Sequence, residues 1–152
     1  MSVRRSWQAG RVPEANWSAV LSRGDDGYRL TSPADVPAID HAELVLAARF
    51  PDALRDLYLV SNGVFDETGQ WFPIWPLDEL IRRNADAYAI EGAPRSEYVG
   101  FGDDGTGDPF CVRREGGDKV FSWSVIDNRA TLLADNLVSF WSGWTESTLP
   151  AH

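Results

Sequence analysis

The chain has 152 residues, 43% apolar and 24% charged, which suits one domain with its own core and excludes a disordered chain. Fourteen basic against 23 acidic residues give a net charge of −9, and the one cysteine, Cys111, excludes an intrachain disulfide and a cysteine-based metal cluster. No run approaches the roughly 18 apolar residues of a membrane helix, and no apolar stretch follows the basic residues of Met1 to Trp7, so neither a membrane span nor a secretory signal is expected and the cytoplasm is the expected compartment.

Residues 1–29 read as a loosely organised leading segment. Within it, Glu14 to Leu21 has the spacing for two helical turns, with Trp17, Val20 and Leu21 on one side. Asp25-Asp26-Gly27 reads as a turn and Tyr28-Arg29-Leu30 as a short extended piece. A helix is predicted from Asp35 to Arg49, capped by Asp35, with Pro37 in the first turn and Val36, Ile39, Ala42, Leu46 and Phe50 at helical spacing. A second helix runs from Pro51 to Val60, and Ser61-Asn62-Gly63 stops it because Asn and Gly tolerate a left-handed cap. Together the two form an αα-hairpin.

The hydrophobic period then shortens. Val64-Phe65 and Gln70 to Ile74 read as extended, joined by a polar turn from Asp66 to Gly69, with Pro73 marking a sheet edge. A helix from Leu77 to Tyr88 places Asp78 and Glu79 at its positive end. Residues 91–97 are a loop. Strands follow at Tyr98 to Gly102, Phe110 to Arg113, Lys119 to Trp123 and Arg129 to Leu133, with turns at Gly116-Gly117-Asp118 and Asp127-Asn128. Asp135 caps a closing helix through Phe140, Trp141 and Trp144. The order predicts an α+β domain over residues 30–149, with helices packed around a mostly antiparallel or mixed sheet.

Residues with catalytic chemistry are sparse. His41 reads as a surface or structural histidine with no nucleophile signposted near it, and His152 is terminal. Cys111, between Phe110 and Val112 in a strand, reads as a buried inert thiol. The sharpest local feature is Gly102-Asp103-Asp104-Gly105-Thr106-Gly107-Asp108. Its acids do not fall at calcium-loop positions, so it reads as a glycine-rich turn whose Asp side chains bond neighbouring N–H groups. No phosphate-binding loop and no distinct carboxylate pair stands out. No metal or cofactor is expected. Trp71, Trp123 and Trp141 are expected to be at least partly buried, and Trp75, between Ile74 and Pro76 at a strand end, to be partly exposed.

The acidity is not uniform. Residues 1–30 carry five Arg and three acids, for +2, whereas residues 31–152 carry nine basic and 20 acidic residues, for −11. Such a surface repels phosphate backbones and attracts basic proteins, so a protein partner is expected and nucleic acid is not.

The order Ile39, Glu43, Phe50-Pro51, Leu57-Tyr58, Ser61-Asn62-Gly63, then Trp71 and Ile74-Trp75-Pro76-Leu77-Asp78-Glu79-Leu80, resembles the SMI1/KNR4 (SUKH) superfamily. So do the run from Gly100 to Cys111, Val120-Phe121-Ser122-Trp123 and the Phe140-containing helix, over about residues 30–145. Two departures are Val112-Arg113-Arg114, where members often carry an acid, and Asn62-Gly63-Val64 in place of Asn-Gly-Gly. The resemblance implies no catalysis. Bacterial members look like immunity proteins that neutralise a cognate toxin, and eukaryotic members resemble regulatory scaffolds. Its implication here is a cytoplasmic immunity protein whose partner is a basic toxin, for example a nuclease; an intracellular scaffold is the alternative. Asp103, Asp104 and Asp108 are the candidate steering charges and Trp75 the candidate aromatic anchor for that partner.

Overall fold

The computed structural model describes residues 16–22, 28–68 and 70–146. The expected turn at Asp25 to Gly27, residues 1–15 and His152 lie outside the described residues. Helix α1 (Trp17–Ser22) buries Trp17, Val20 and Leu21 and packs against a later helix, α3 (Asp52–Val60). Helix α2 (Val36–Leu46) is capped as expected, with the Asp35 carboxylate accepting from the Ala38 N–H at 2.9 Å. It buries Ile39, Ala42 and Leu46 and leaves Val36 exposed. It ends at Leu46 rather than near Arg49, because Ala47 turns left-handed at φ 49° and the chain doubles back toward α3. Glu43 and Arg55 fasten that hairpin: the Glu43 carboxylate accepts from the Phe50 N–H at 2.7 Å and pairs with Arg55, which also reaches Asp40 at 2.8 Å.

The stop after α3 works differently from the expectation. Ser61 is extended (φ −152°), and the Asn62 side chain accepts from the Leu77 N–H at 2.9 Å, so it satisfies the start of α4 (Leu77–Ala87) rather than the end of α3. Gly63 supplies the left-handed step at φ +102°, where a Cβ would lie 2.8 Å from the Pro76 nitrogen. Strand β1 (Tyr28–Leu30) pairs antiparallel with β2 (Val64–Asp66). The stretch from Gln70 to Ile74 is not the expected strand. Asp66 Oδ1 takes the Gln70 and Trp71 N–H groups at 2.8 and 2.9 Å, and only a Val64–Ile74 bridge remains.

After a single 3₁₀ turn (Pro94–Glu97) comes an antiparallel meander of β3 (Tyr98–Asp103), β4 (Pro109–Arg113), β5 (Val120–Ser124) and β6 (Arg129–Ala134), in that spatial order. Every strand pairing among the described residues is antiparallel. The closing helix α5 (Leu137–Thr145) is capped by Asn136, one residue after the expected Asp135, with its side chain accepting from the Ser139 N–H at 2.8 Å. The architecture is α+β. Val99, Phe101, Phe110, Val112 and Val120 of the meander join the helices in one core, with Phe110 and Phe140 rings 4.7 Å apart. By the alternation of strands, Tyr98, Phe121 and Trp123 occupy the other face, where Tyr98 stands 5.4 and 5.6 Å from the two rings. Helix α4 runs beside β3, and there Asn84 is fully buried. Its Oδ1 accepts from the Gly100 N–H at 2.8 Å and its Nδ2 donates to the Gly100 carbonyl at 2.7 Å. No helix among the described residues is long and apolar enough to cross a membrane.

Candidate partner-binding cleft

The β3–β4 connection is the Asp- and Gly-rich loop singled out in the sequence. It adopts the turn that Asp side chains favour. Asp103 Oδ1 accepts from the Gly105 N–H at 2.8 Å, and Asp104 Oδ1 from the Thr106 N–H at 2.8 Å and the Thr106 hydroxyl at 2.6 Å. Asp108 Oδ1 accepts from the Val125 N–H at 3.1 Å and so ties the loop to the β5–β6 hairpin. Asp104 and Asp108 are half-buried at the surface, but Asp103 is buried.

Trp75 corrects the sequence reading of its exposure. It is 4% exposed, beneath the loop rather than on the surface. Its indole N–H donates to Asp103 Oδ2 at 2.9 Å, its own N–H donates to the Phe101 carbonyl at 2.8 Å, and its carbonyl accepts from the Tyr58 hydroxyl at 2.6 Å. The sequence places Trp75 at a strand end but does not show that α4 and the loop close over it. Trp71 grips the same residue, donating its indole N–H to the Asp103 carbonyl at 3.1 Å. Two indoles therefore anchor Asp103 through its backbone and its side chain. Trp71 is half-buried, and Trp123 and Trp141 are buried, as expected.

Two hollows flank this anchor. One, of about 470 Å³, is lined by Asp66, Glu79 and Asp103 together with Trp71, Phe72 and Gly105. The other, of about 640 Å³, is lined by Arg82, Arg83 and Arg95 with Asp86, and by Ile90 and Val125. Trp75, Arg83 and Gly107 line both, so the two halves meet as one cleft of opposed charge. Glu79 accepts from Arg82 at 2.6 Å and from Arg83 at 2.8 Å, and these guanidinium groups hold its carboxyl below the usual range. Arg83 also lies over the Trp75 ring, 4.8 Å from its centroid. Arg95 donates to the Tyr98 carbonyl and to Asn84 Oδ1, each at 2.8 Å, both neutral acceptors. The sequence reading missed this basic half. Its residues come from α4, the 3₁₀ turn and the β5–β6 hairpin, and their separation along the chain left no local signal.

The remaining sequence candidates do not line the cleft. His41 is exposed. Cys111 is fully buried, and burial pushes its thiol up to about 12. Arg114 belongs to the Val112-Arg113-Arg114 stretch noted in the sequence. It donates to the Leu46 and Ser96 carbonyls, each at 3.0 Å, and packs over the Tyr88 ring at 4.0 Å. That arginine binds the end of α2 to the 3₁₀ turn.

Comparison with curated proteins gave no match. Residues 33–143 match the family model described as SMI1 / KNR4 family (SUKH-1), which spans most of the chain and runs from before α2 into α5, taking in the meander and the cleft. The chain belongs to the SMI1/KNR4 (SUKH-1) family.

Proposed function

We propose that this protein is a non-catalytic, cytoplasmic protein-binding module that binds and neutralises a cognate toxin, as an immunity protein does. Family membership over residues 33–143 is the observation that carries the reading. The −11 charge over residues 31–152 supports a basic partner, such as a nuclease domain that must itself hold phosphates. Beside the cleft, Asp104 and Asp108 at the loop surface supply steering charge, while Asp103 and Trp75 shape the loop from beneath. Binding occludes the toxin's working surface; the protein itself performs no reaction.

Co-expression with a toxic gene product encoded next to this gene tests the proposal. Rescue of the host together with a co-purifying complex is the expected result. A toxic neighbour that is neither neutralised nor bound would refute it. The charge contribution is read separately from the paired change Asp104→Asn and Asp108→Asn. Association slows about tenfold at low salt and its salt dependence flattens. An unchanged rate and slope would remove the loop from the interface.

A further inference from the structure

The basic half of the cleft stands against the charge of the whole chain. Three guanidinium groups line it against one carboxylate, Asp86, in a protein of net charge −9. Glu79, outside this lining, is already shared between Arg82 and Arg83, and Asp108, between the lining residues Gly107 and Pro109, accepts from the Val125 N–H. Arg95 makes its hydrogen bonds to neutral acceptors, and no ion pair among the described residues includes it. Two exposed aliphatic side chains share the lining with these cations, Ile90 at 71% exposure and Val125 at 62%. Both line the hollow, from its α4 side and its hairpin side. A volume of about 640 Å³ is within the range of formed binding sites.

We infer that this half is a distinct recognition site for an acidic peptide segment of a protein partner. Its carboxylates pair with Arg82, Arg83 and Arg95, and its apolar side chains lie between Ile90 and Val125. The inference rests on the reading of the protein as a protein-binding module and adds a second chemistry to it. Guanidinium groups match carboxylates in fork geometry, and such charge-assisted bonds are about twice as strong as neutral ones. The remote acids of the chain oppose an acidic ligand only weakly, because charges beyond about 8 Å are screened at physiological salt. A nucleotide fits less well. The Trp75 and Trp123 rings in the lining are each 4% exposed and offer no open stacking face. The aliphatic rims instead suit leucine-like side chains.

The test uses the full chain and a fluorescein-labelled peptide of alternating glutamate and leucine, followed by fluorescence anisotropy. A lysine–leucine peptide and ATP serve as the comparison ligands. Saturable binding of the acidic peptide is expected, with shifts of the Trp75 and Trp123 indole N–H resonances. Arg95→Gln weakens it about tenfold and the surface change Arg82→Ser about threefold. Arg82 is 61% exposed with its partner on its own helix, so that variant reports on charge whether or not Arg95→Gln folds. The Asp104→Asn, Asp108→Asn pair leaves peptide binding at or above the parent level. Absence of saturable binding, parent affinity in the Arg82 variant, or displacement of the peptide by ATP would each overturn the inference. The peptide assay requires no toxin, so its failure and a failure of toxin neutralisation are read independently.

Discussion

If the Trp75–Asp103 bond holds the loop, removing either partner must cost more than removing a surface group. In Asp103→Ala the buried indole N–H loses its acceptor at 2.9 Å, and the Gly105 N–H loses its own at 2.8 Å. A stranded buried donor costs about 1–3 kcal/mol; Gly105 lies at the surface, where water replaces the lost bond, so the indole dominates. The expected loss is about 2–3 kcal/mol, or roughly 5–10 °C in melting temperature for a chain of this size. Trp75→Phe removes the donor and part of a buried ring, for roughly 2–3 kcal/mol. The double variant should lose less than the sum by about 1–2 kcal/mol, since the second change removes a group already stranded. Urea unfolding of the four proteins, followed by circular dichroism, gives the coupling. Additivity within about 0.5 kcal/mol, or a single Asp103→Ala effect below that value, would refute the assignment.

Gly102→Ala places a Cβ 1.8 Å from the Pro73 carbonyl oxygen, backbone against backbone, and should cost about 3 kcal/mol or more; a melting temperature within about 2 °C of the parent would contradict the packing. Asn84→Leu strands the Gly100 N–H and carbonyl, so a loss of about 2–4 kcal/mol and faster exchange of the Gly100 amide are expected by hydrogen-exchange NMR. Cys111 should resist thiol reagents near neutral pH until the protein unfolds, and prompt reaction in native buffer would show that its strand is open. Its folded pKa is raised above the ordinary 9.0, so its stabilising contribution is complete below that value and is lost as pH rises toward about 12. Burial raises Tyr58 in the same direction. The urea midpoint should therefore fall above about pH 9, less steeply in Cys111→Ala, and a flat midpoint would refute the linkage.

Elements with strong local signals were legible. The Ile39–Ala42–Leu46 stripe, the Asp35 cap and the alternation around Val120 to Trp123 each specify their structure over a few residues. Where the sequence misled, a side chain had a distant use. Asp66 takes the N–H groups that the expected strand at Gln70 to Ile74 would have placed in a ladder. Asn62 serves a helix 15 residues onward rather than the one it follows. The acidic loop was legible as a turn, because Asp103 and Asp104 each sit two residues from the N–H they take, whereas the bond from Val125 to Asp108 spans 17 residues and left no local signal. Its burial at Asp103, and the arginine-lined half beside it, were not legible, since both depend on α4 lying against β3.

The ties within the Asp103–Asp108 loop bear on the entropy of recognition. Bonds to Gly105, Thr106 and Val125, with two indoles below, fix the loop before any partner arrives. Ordering a free, rotamer-rich side chain at an interface costs about 0.5–1.5 kcal/mol, and this loop has already lost that freedom on folding. A partner that docked there, as proposed, would meet a rigid surface, and changes of sequence at the loop's exposed positions would alter what it meets without disturbing the shape that presents them.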